Sequence, residues 1–365
     1  MKRISLFLLL FLLLKATVMY SQDGHPETNF RIVPVSPNAA SLGTYGLIPT
    51  DNYVGQARIS IPIYEIDLDG KKFPIALSYH TDGTRVAQEA TWIGLGWTLQ
   101  AGGCVVRQVQ GTDDFAARGC YNLTDAPWLT NPRFEVTDQN LEKYMGYFKG
   151  DYDAEPDMFY FNAGGHSGSM YFDVLKNNRQ LNAVPTIQTQ EKVVKMVYNT
   201  SNKTWTMTDL EGYVYSFSTK EITYYFLNTI DFFQTDITRS HIFPYYNEPQ
   251  IVTAWMLDSV TSPNGGKIMF SYKKESIFTP ISTTEDVISL SKIVNGQLSS
   301  QSPQYFTNKF NYNYSYSKIE QWTLSAITFE GGKVEFGTTD REDIESAETG
   351  KKVQKLSSIK VSDTA

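Results

Sequence analysis

The sequence predicts an all-β protein after residue 22, built mostly as an antiparallel array of hairpins that forms a curved or shell-like sheet or a sandwich. Three observations predict it. Tyr (23 residues) and Phe (21 residues) are abundant, and aromatic residues favour strands. Short runs alternate apolar and polar residues with the period of two that is typical of strands. Turns containing glycine separate these runs. We expect helix only in the first residues and in one short segment near residues 141–148.

The first 21 residues have the pattern of a secretory signal peptide. Lys2 and Arg3 form a basic start, Ile4–Leu14 is an apolar run, and the segment ends at Ser21. Lys15 ends the run well below the roughly 20 residues that a membrane-spanning helix needs. We therefore expect residues 1–21 to be cleaved off near Ser21. The mature chain is expected to be exported to the periplasm, the cell surface or the extracellular space.

The mature chain is acidic. Cleavage removes three cations and no acid, so the formal net charge falls from −7 to −10. An acidic chain without a basic cluster argues against nucleic acid and anionic lipid as partners. No later stretch is long and apolar enough to predict a membrane span. Roughly 340 residues remain, enough for one large β-domain or two smaller ones.

The N-terminal segment, residues 22–111, contains the first predicted hairpin. Apolar residues alternate from Ile59 to Ile63 and then change phase before Ile66, which predicts a β-bulge. Asp69-Gly70 predicts the turn, and alternation resumes over Phe73–Tyr79. Pro62 and Pro74 have no N–H to donate to a neighbouring strand. We therefore expect these strands to lie at sheet edges or at bulges.

A Gly-Leu-Gly-Trp sequence at Gly94–Trp97 follows this hairpin and comes directly before another predicted strand. Gly94 and Gly96 permit backbone conformations and close approaches that a Cβ would prevent. Trp92 and Trp97 each supply a large side chain at the same place. The sequence therefore predicts a structural corner in which both tryptophans are buried.

The middle segment, residues 112–250, combines strands with irregular loops. A strand is predicted over Glu155–Asn162, followed by a turn at 163–168 and a second strand from Met170. Acidic residues gather nearby: Asp113, Asp114, Asp151, Asp153, Glu155 and Asp157. Their oxygens suit calcium, or they are solvated loop acids. The spacing of a known calcium loop is missing, which favours solvated acids.

Only two cysteines occur, Cys104 and Cys120. An oxidising compartment permits a disulfide between them, whereas the simpler interpretation makes Cys104 a small buried residue of a strand. Two cysteines are too few for a disulfide scaffold, and their spacing is not that of a metal site.

The C-terminal segment, residues 251–365, contains an internal repeat. The pattern Trp-x-Leu-x-x-[Val/Ile]-Thr occurs at Trp255–Thr261 and at Trp322–Thr328, each time followed by a Gly-Gly turn and a returning strand. Residues Trp205–Phe217 predict a related hairpin. A further copy begins at Leu356–Ile359 and has no returning strand. Repeats bury their apolar faces against neighbours, so we expect a truncated array: a fragment of a longer protein or a split gene product.

No catalytic, cofactor-binding or metal-binding residue is predicted. Gly94-x-Gly96 lacks the third glycine and the strand–helix context of a dinucleotide site. Gly165–Ser169 is a near miss for a nucleophile elbow and lies between strands, where a hairpin turn is expected. The four histidines are dispersed, which gives no zinc spacing: His25, His80, His166 and His241. The sequence therefore predicts a protein that is not an enzyme and needs no cofactor.

Four sequence blocks together resemble a known family. A strand ending Leu77-Ser-Tyr79, the Gly94–Trp97 turn, the strand with Val106-Arg107 and the Glu155–Asn162 block resemble the N-terminal segment of bacterial RHS/YD-repeat proteins. They also resemble the related SpvB-type domain of toxin-complex B components. In that family the strands form a hollow casing around a C-terminal effector, often a toxin. No full YD-repeat consensus occurs in this sequence.

The resemblance implies a non-enzymatic structural module, the N-terminal part of an exported RHS/YD-type shell that encloses or presents an effector. Its partners would be downstream repeats, or a separately encoded continuation, and an effector domain. An alternative is a cell-surface adhesin or glycan-binding β-module, based on aromatic clusters such as Tyr224–Phe226 and Tyr245-Tyr246. A secreted hydrolase is a third hypothesis, since paired carboxylates can hydrolyse glycosides.

Overall fold

The structure is a computed structural model. It describes one set of residues: 36, 38, 59–80, 88–111, 113–116, 119–122, 141, 145, 153, 155–173, 182–188, 194–231, 250–279, 282–288, 293–294, 297–298 and 309–363. The predicted signal peptide, His25, His241, Asp151 and Tyr245-Tyr246 lie outside these residues. No helix in the described part is long and apolar enough to cross a membrane.

The described chain is almost entirely β-strand, which confirms the predicted all-β fold. The N-terminal strands are β1 Ile59–Leu68, β2 Lys71–Tyr79, β3 Trp97–Gln100, β4 Gly103–Gln108, β5 Met158–Ala163, β6 His166–Tyr171, β7 Asn182–Ala183, β8 Thr186–Ile187, β9 Val194–Asn199 and β10 Thr204–Asp209. The remaining strands are β11 Val214–Asp231, β12 Gln250–Thr261, β13 Lys267–Phe278, β14 Ser282–Ile288, β15 Ile293–Val294, β16 Gln297–Leu298, β17 Lys309–Phe329, β18 Gly332–Asp340 and β19 Gln354–Asp363. A 3₁₀ turn spans Cys120–Asn122. Within the helix predicted near residues 141–148, Leu141 and Met145 are described, and both are helical.

A small antiparallel sheet, in the order β1-β2-β3, carries the first predicted hairpin. The register of β1 against β2 shifts between Pro62 and Tyr64, where the change of phase predicted a bulge. Pro74 lies on β2 before β3 begins to pair at Ala76, so its missing N–H breaks no bond to β3. Both prolines therefore occupy positions that a strand tolerates.

A 14-stranded sheet contains the rest of the array except β15 and β16, which pair only with each other in the described part. Strand β4 pairs with β5 on one side and with β12 on the other. Strand β11 pairs with both β12 and β17, and β13 also pairs with both of them, so these four strands form a closed circuit of pairings. All three sequence segments thus share one sheet.

The predicted repeats form hairpins, β12–β13 and β17–β18, and the related hairpin is β10–β11. The repeated tryptophans make equivalent contacts: the Trp255 indole N–H donates to the Lys203 carbonyl at 2.8 Å, and the Trp322 indole N–H donates to the Lys220 carbonyl at 2.7 Å. Each indole thereby ties its hairpin to a neighbouring part of the array. Trp205 is buried without such an acceptor.

The main core lies on one face of the large sheet, with the small sheet packed against it. Its densest part is a group of buried aromatic side chains, which includes the Trp205 and Tyr198 rings at 4.8 Å and the Trp205 and Trp255 rings at 6.1 Å. Aromatic pairs at these separations add stability beyond the area that they bury. The charged cluster described below rests on this group.

The Gly-Leu-Gly-Trp corner exists, but the expectation that both tryptophans are buried is wrong. Trp92 is buried and meets Phe336 edge to face, with ring centroids 6.4 Å apart. Trp97 is only partly buried, because it begins β3 opposite Tyr79 near the open end of the small sheet. Gly96 has φ 75°, and a Cβ there would lie 2.8 Å from the Tyr79 ring. The corner therefore needs glycine at this position, and it leaves the Trp97 side chain partly exposed.

Strand β19, where the further copy of the repeat was predicted, pairs with β18 only among the described residues. Its apolar side chains Leu356, Ile359 and Val361 pack against the main core but are only partly buried. The equivalent Leu257 and Val260 of the complete hairpin are fully buried. One edge of β19 therefore has no partner strand in the described part.

Candidate functional site

A buried charged cluster lies where β4 meets β5. Arg107 follows Val105 by two residues on β4, and a period of two places both side chains on the core face of the sheet. Arg107 faces Phe159 on β5, and Asp157 immediately precedes that strand. Both charged side chains are buried, with exposures of 2% for Arg107 and 0% for Asp157. A cation and an anion at such depth need each other.

Arg107 is held from several sides. Its Nε donates to Asp157 Oδ2 at 2.8 Å, and its Nη2 donates to both Asp157 and Asp113. The guanidinium lies over the Phe115 and Phe159 rings, 5.2 Å and 5.6 Å from their centroids. Burial opposes the charge, but the carboxylates of Asp157 and Asp113 outweigh it and raise the pKa of Arg107. Arg107 is a permanent cation that cannot act as an acid or base.

Asp114 and Asp157 form a reciprocal pair. The Asp157 N–H donates to Asp114 Oδ2 at 2.9 Å, and the Asp114 N–H donates to Asp157 Oδ2 at 3.1 Å. Asp157 also accepts from Arg107 and from the Gln110 N–H at 2.7 Å, so it has the donors that a carboxylate requires. Asp114 Oδ1 is buried and has no partner. Burial and the neighbouring Asp157 raise the pKa of Asp114 to about 9, because two carboxylates cannot both ionise so close together.

The described residues of the segment 113–122, which are 113–116 and 119–122, pack closely onto this cluster. A Cβ on Gly119 would lie 2.0 Å from the Asp113 carbonyl oxygen, so only glycine permits this approach. The Asn122 side-chain amide donates to the Phe115 and Ala116 carbonyls at 2.8 and 3.0 Å. The Phe115 ring contacts Tyr121 at 5.1 Å between centroids. The cluster and these contacts fasten the segment to the sheet.

The expectation that the acidic residues are solvated is wrong for Asp114, Asp153 and Asp157, which are all buried. The reason is that Arg107 compensates the charge of Asp157, while Asp114 and Asp153 accept backbone N–H groups of Asp157 and Glu155. The acids accept hydrogen bonds from Arg107 and from backbone N–H groups, and they do not surround a common point. Within the described part of the chain, no group of three His, Cys, Asp or Glu residues is arranged to hold a metal ion.

A second polar cluster joins the tips of the hairpins β1–β2 and β10–β11. Lys71 Nζ lies 2.5 Å from Asp209 Oδ2 and 2.9 Å from Glu211 Oε2, and the Tyr215 hydroxyl donates to Asp209 Oδ2 at 3.1 Å. Burial opposes ionisation of Asp209, but the bonds from Lys71 and the Tyr213 backbone outweigh it and lower its pKa. His166, at the start of β6, lies 3.9 Å from the same carboxylate. This cluster fixes the small sheet to the large one.

A third cluster fastens the N-terminal segment. Glu221 on β11 is fully buried and accepts hydrogen bonds from the Ser36 N–H at 2.8 Å, from the Ser36 hydroxyl and from the Thr253 hydroxyl. Burial raises the pKa of Glu221, and these donors only partly offset it. Asn38 accepts from the Trp92 N–H and donates to Gln321. Ser36 and Asn38 thus connect the sheet to the Trp92 corner.

Sequence reasoning named no site residue, and the structure assembles these clusters from residues far apart in the chain. The usable signal was an arginine directly after the apolar run Cys104–Val106, which indicates a buried partner. No local signal existed for Glu221 or for Lys71. Both cysteines are buried and free, so the alternative of a small buried residue holds for Cys104, and no disulfide joins it to Cys120. Gly164 and Gly165 lie in the turn between β5 and β6, which is the hairpin expected there.

No protein-family model matches the chain, and no curated protein matches it. Several solved structures match. One is a Tc holotoxin pore of Photorhabdus luminescens, at 10% identity and a TM-score of 0.35, covering 84% of this chain and 12% of that one. Another contains TcdB2 and TccC3, at 11% identity and a TM-score of 0.29, covering 92% of this chain and 13% of that one. A third is the N-terminal domain of the effector protein SpvB from Salmonella typhimurium strain LT2, at 10% identity and a TM-score of 0.30, covering 84% and 99%.

These neighbours are Tc toxin components and an SpvB domain, the classes of protein that the sequence blocks resemble. The chain spans only 12% and 13% of the first two. At these identities and TM-scores the likeness assigns neither a family nor a function. The presence of RHS or YD repeats and of a signal peptide stays a prediction from the sequence.

Proposed function

We propose that this chain is a non-enzymatic structural module, the N-terminal part of an exported RHS/YD-type shell that encloses or presents an effector. The observation that carries the proposal is the lateral coupling of repeated hairpins. Trp255 and Trp322, equivalent in the repeat, each donate an indole N–H to a backbone carbonyl of a neighbouring stretch. Such coupling is typical of an array that grows by adding like units.

The charged clusters support the same proposal. Arg107, Asp157 and Glu221 are fully buried and use their bonds to tie distant segments together. A catalytic group must reach a substrate, and these side chains face other protein groups. Buried ion pairs of this kind fix one arrangement of strands. The clusters therefore serve the fold, and the hydrolase hypothesis gains no support from them.

The edge of β19 that pairs with no described strand supplies the place at which further hairpins would be added, beyond Leu356, whose N–H bonds to the Trp92 carbonyl at 2.8 Å. An unpaired strand edge is a template for another strand, and natural proteins normally protect it. In the complete copies, the returning strands β18 and β13 supply the buried residues Phe336 and Phe270 to the core. The returning strand of a next hairpin would in the same way cover Leu356 and Ile359, which are partly exposed. The partner implied is a polypeptide with the same repeat, from the same gene or from a neighbouring one.

Isolation of the native protein tests this proposal. An antibody against the chain is used to purify it from the exported fraction of its own cells, and the co-purified polypeptides are identified by mass spectrometry. We expect a stoichiometric polypeptide with further repeats, or one long chain containing both. Recovery of the chain alone, as a monomer of its own mass, would contradict the shell.

One observation favours the alternative of a glycan-binding or adhesive module. Tyr79 and Trp97 lie side by side on β2 and β3, 5.2 Å between ring centroids, and both are partly exposed. Exposed aromatic faces are suited to stacking on sugars. Binding on a glycan array that is lost in Trp97→Ala and retained in Trp92→Phe would support this alternative, and an empty array would remove it.

A further inference from the structure

The buried cluster at β4 and β5 contains more acid than base. Arg107 is the cation that bonds to it, while Asp157, Asp113 and Asp114 contribute carboxyl groups and Asp153 lies close enough to affect Asp114. Three of these four acids are buried. In the described part of the chain the guanidinium bonds to Asp157 and Asp113 and to neither oxygen of Asp114, so the pair Asp114 and Asp157 stays closed only when one of its two carboxyl groups is neutral.

The geometry identifies Asp114 as the neutral member. Asp157 accepts four hydrogen bonds, two of them from the guanidinium, and holds the negative charge. Asp113 also accepts from Arg107 and is partly exposed. Asp114 accepts one backbone N–H on Oδ2 and has no partner on Oδ1, although the side chain is 1% exposed. A proton on Oδ1 removes the repulsion between Asp114 and Asp157.

The same pair joins two parts of the protein. The reciprocal bonds run from Asp114, in the segment 113–122, to Asp157 at the start of β5. Among the described residues, the other titratable groups facing Asp114 are Arg107 from β4, Asp153, and Cys120 in its own segment. Asp113 and Tyr198 lie close to Arg107, and Tyr121 lies close to Tyr198. Arg107 apart, none of these groups brings a positive charge to offset a second carboxylate.

We propose that the segment 113–122 is a proton-held latch: it stays on the sheet while Asp114 is protonated, and it is released when Asp114 ionises beside Asp157. Ionisation of Asp114 leaves two buried carboxylates, those of Asp114 and Asp157, side by side without water to separate their charges. Release restores solvent to both. The core strands beneath do not depend on this proton, so the opening is confined to the segment.

The direction of the pH dependence follows from the two states. With the latch closed, Asp114 keeps its proton up to about pH 9. In the open segment, Asp114 loses the proton near its ordinary pKa of 3.8. The closed state therefore binds more protons between these values, and the stability that the proton provides is lost as pH rises towards 9. Between these two values the opening equilibrium increases about tenfold for each pH unit, and it levels off above about pH 9, where Asp114 is ionised in both states.

Two thiols in the chain report the opening. Cys120 lies in the latch and Cys104 lies in β4, and both are buried. Alkylation with iodoacetamide from pH 7 to pH 10.5, read by peptide mass spectrometry, gives the ratio of labelling at the two cysteines. Because both are thiols, the ratio largely cancels the greater reactivity of thiolates at high pH. We expect the ratio to rise at least tenfold, while circular dichroism shows the strands intact.

Asp114→Asn is the matched variant, since the amide is nearly isosteric, accepts the same N–H from Asp157 and never ionises. We expect its labelling ratio to stay flat over the same pH range. A flat ratio in the wild type would overturn the latch. Equal rises in the wild type and the variant would also overturn it, as would simultaneous labelling of Cys104. Should Asp114→Asn fail to fold, a flat wild-type ratio or simultaneous labelling of Cys104 still overturns the latch.

Discussion

Replacement of Arg107 by methionine is expected to destabilise the fold strongly. The variant keeps most of the side-chain volume over Phe115 and Phe159 but removes the cation, so that Asp157 is left buried at 0% exposure without its ionic partner. Breaking a buried ion pair from one side costs about 3–5 kcal/mol. Part of this is the lost contact of the guanidinium with the two rings, about 0.5–2 kcal/mol.

Urea unfolding followed by tryptophan fluorescence measures the effect. With a urea dependence of about 3 kcal/mol/M, the expected loss lowers the unfolding midpoint by about 1–1.7 M. The loss should be smaller at pH 4.5 than at pH 8, because Asp157 without Arg107 can relieve its buried charge by taking a proton. The matched control is Lys72→Met, which removes an exposed cation paired with Glu65 and Asp67.

We expect the control to leave the midpoint unchanged, since exposed ion pairs contribute little. Equal midpoints for Arg107→Met and Lys72→Met would refute the burial of the guanidinium among carboxylates. A loss in Arg107→Met that is the same at both pH values would refute the assignment of the charge to Asp157.

Three further predictions concern the corner and the N-terminal segment. Trp92→Ala should cost about 3–5 kcal/mol because the ring is buried, and Trp97→Ala should cost less than half of that; equal losses by urea unfolding would contradict the exposure of Trp97. Gly96→Val should prevent folding or lower the thermal midpoint sharply, since φ is 75° and the Tyr79 ring and His80 carbonyl leave no room; a normal midpoint would disprove the corner geometry. Ser36→Ala should cost about 1–3 kcal/mol by removing a donor to the buried Glu221, whereas no change in proteolysis near residue 36 would argue against that anchor.

Local patterns in the sequence predicted much of the fold. The change of phase before Ile66 became the register shift between Pro62 and Tyr64, and the Trp-x-Leu repeat became two hairpins. These features depend on residues within one strand or turn, because the two-residue period and the turn chemistry act over short distances.

The clusters could not be predicted in this way, because they depend on which strands become neighbours. Arg107 and Asp157 are 50 residues apart, and Ser36 lies 185 residues from Glu221. Strand β17 lies between β11 and β13 in the large sheet, an order that no periodicity indicates. The acids before β5 resembled solvated residues because their partner, Arg107, belongs to another strand. The partial exposure of Trp97 was missed for the same reason, since its environment depends on β2.

Limited proteolysis and sedimentation of the mature chain, residues 22–365, test the shell proposal most directly. If β19 has an edge that a further hairpin normally covers, the chain should self-associate or be cut within residues 350–365. Addition of a polypeptide with further Trp-x-Leu hairpins should then give a single complex with that stretch protected. A stable monomer whose residues 350–365 resist the protease would contradict the account.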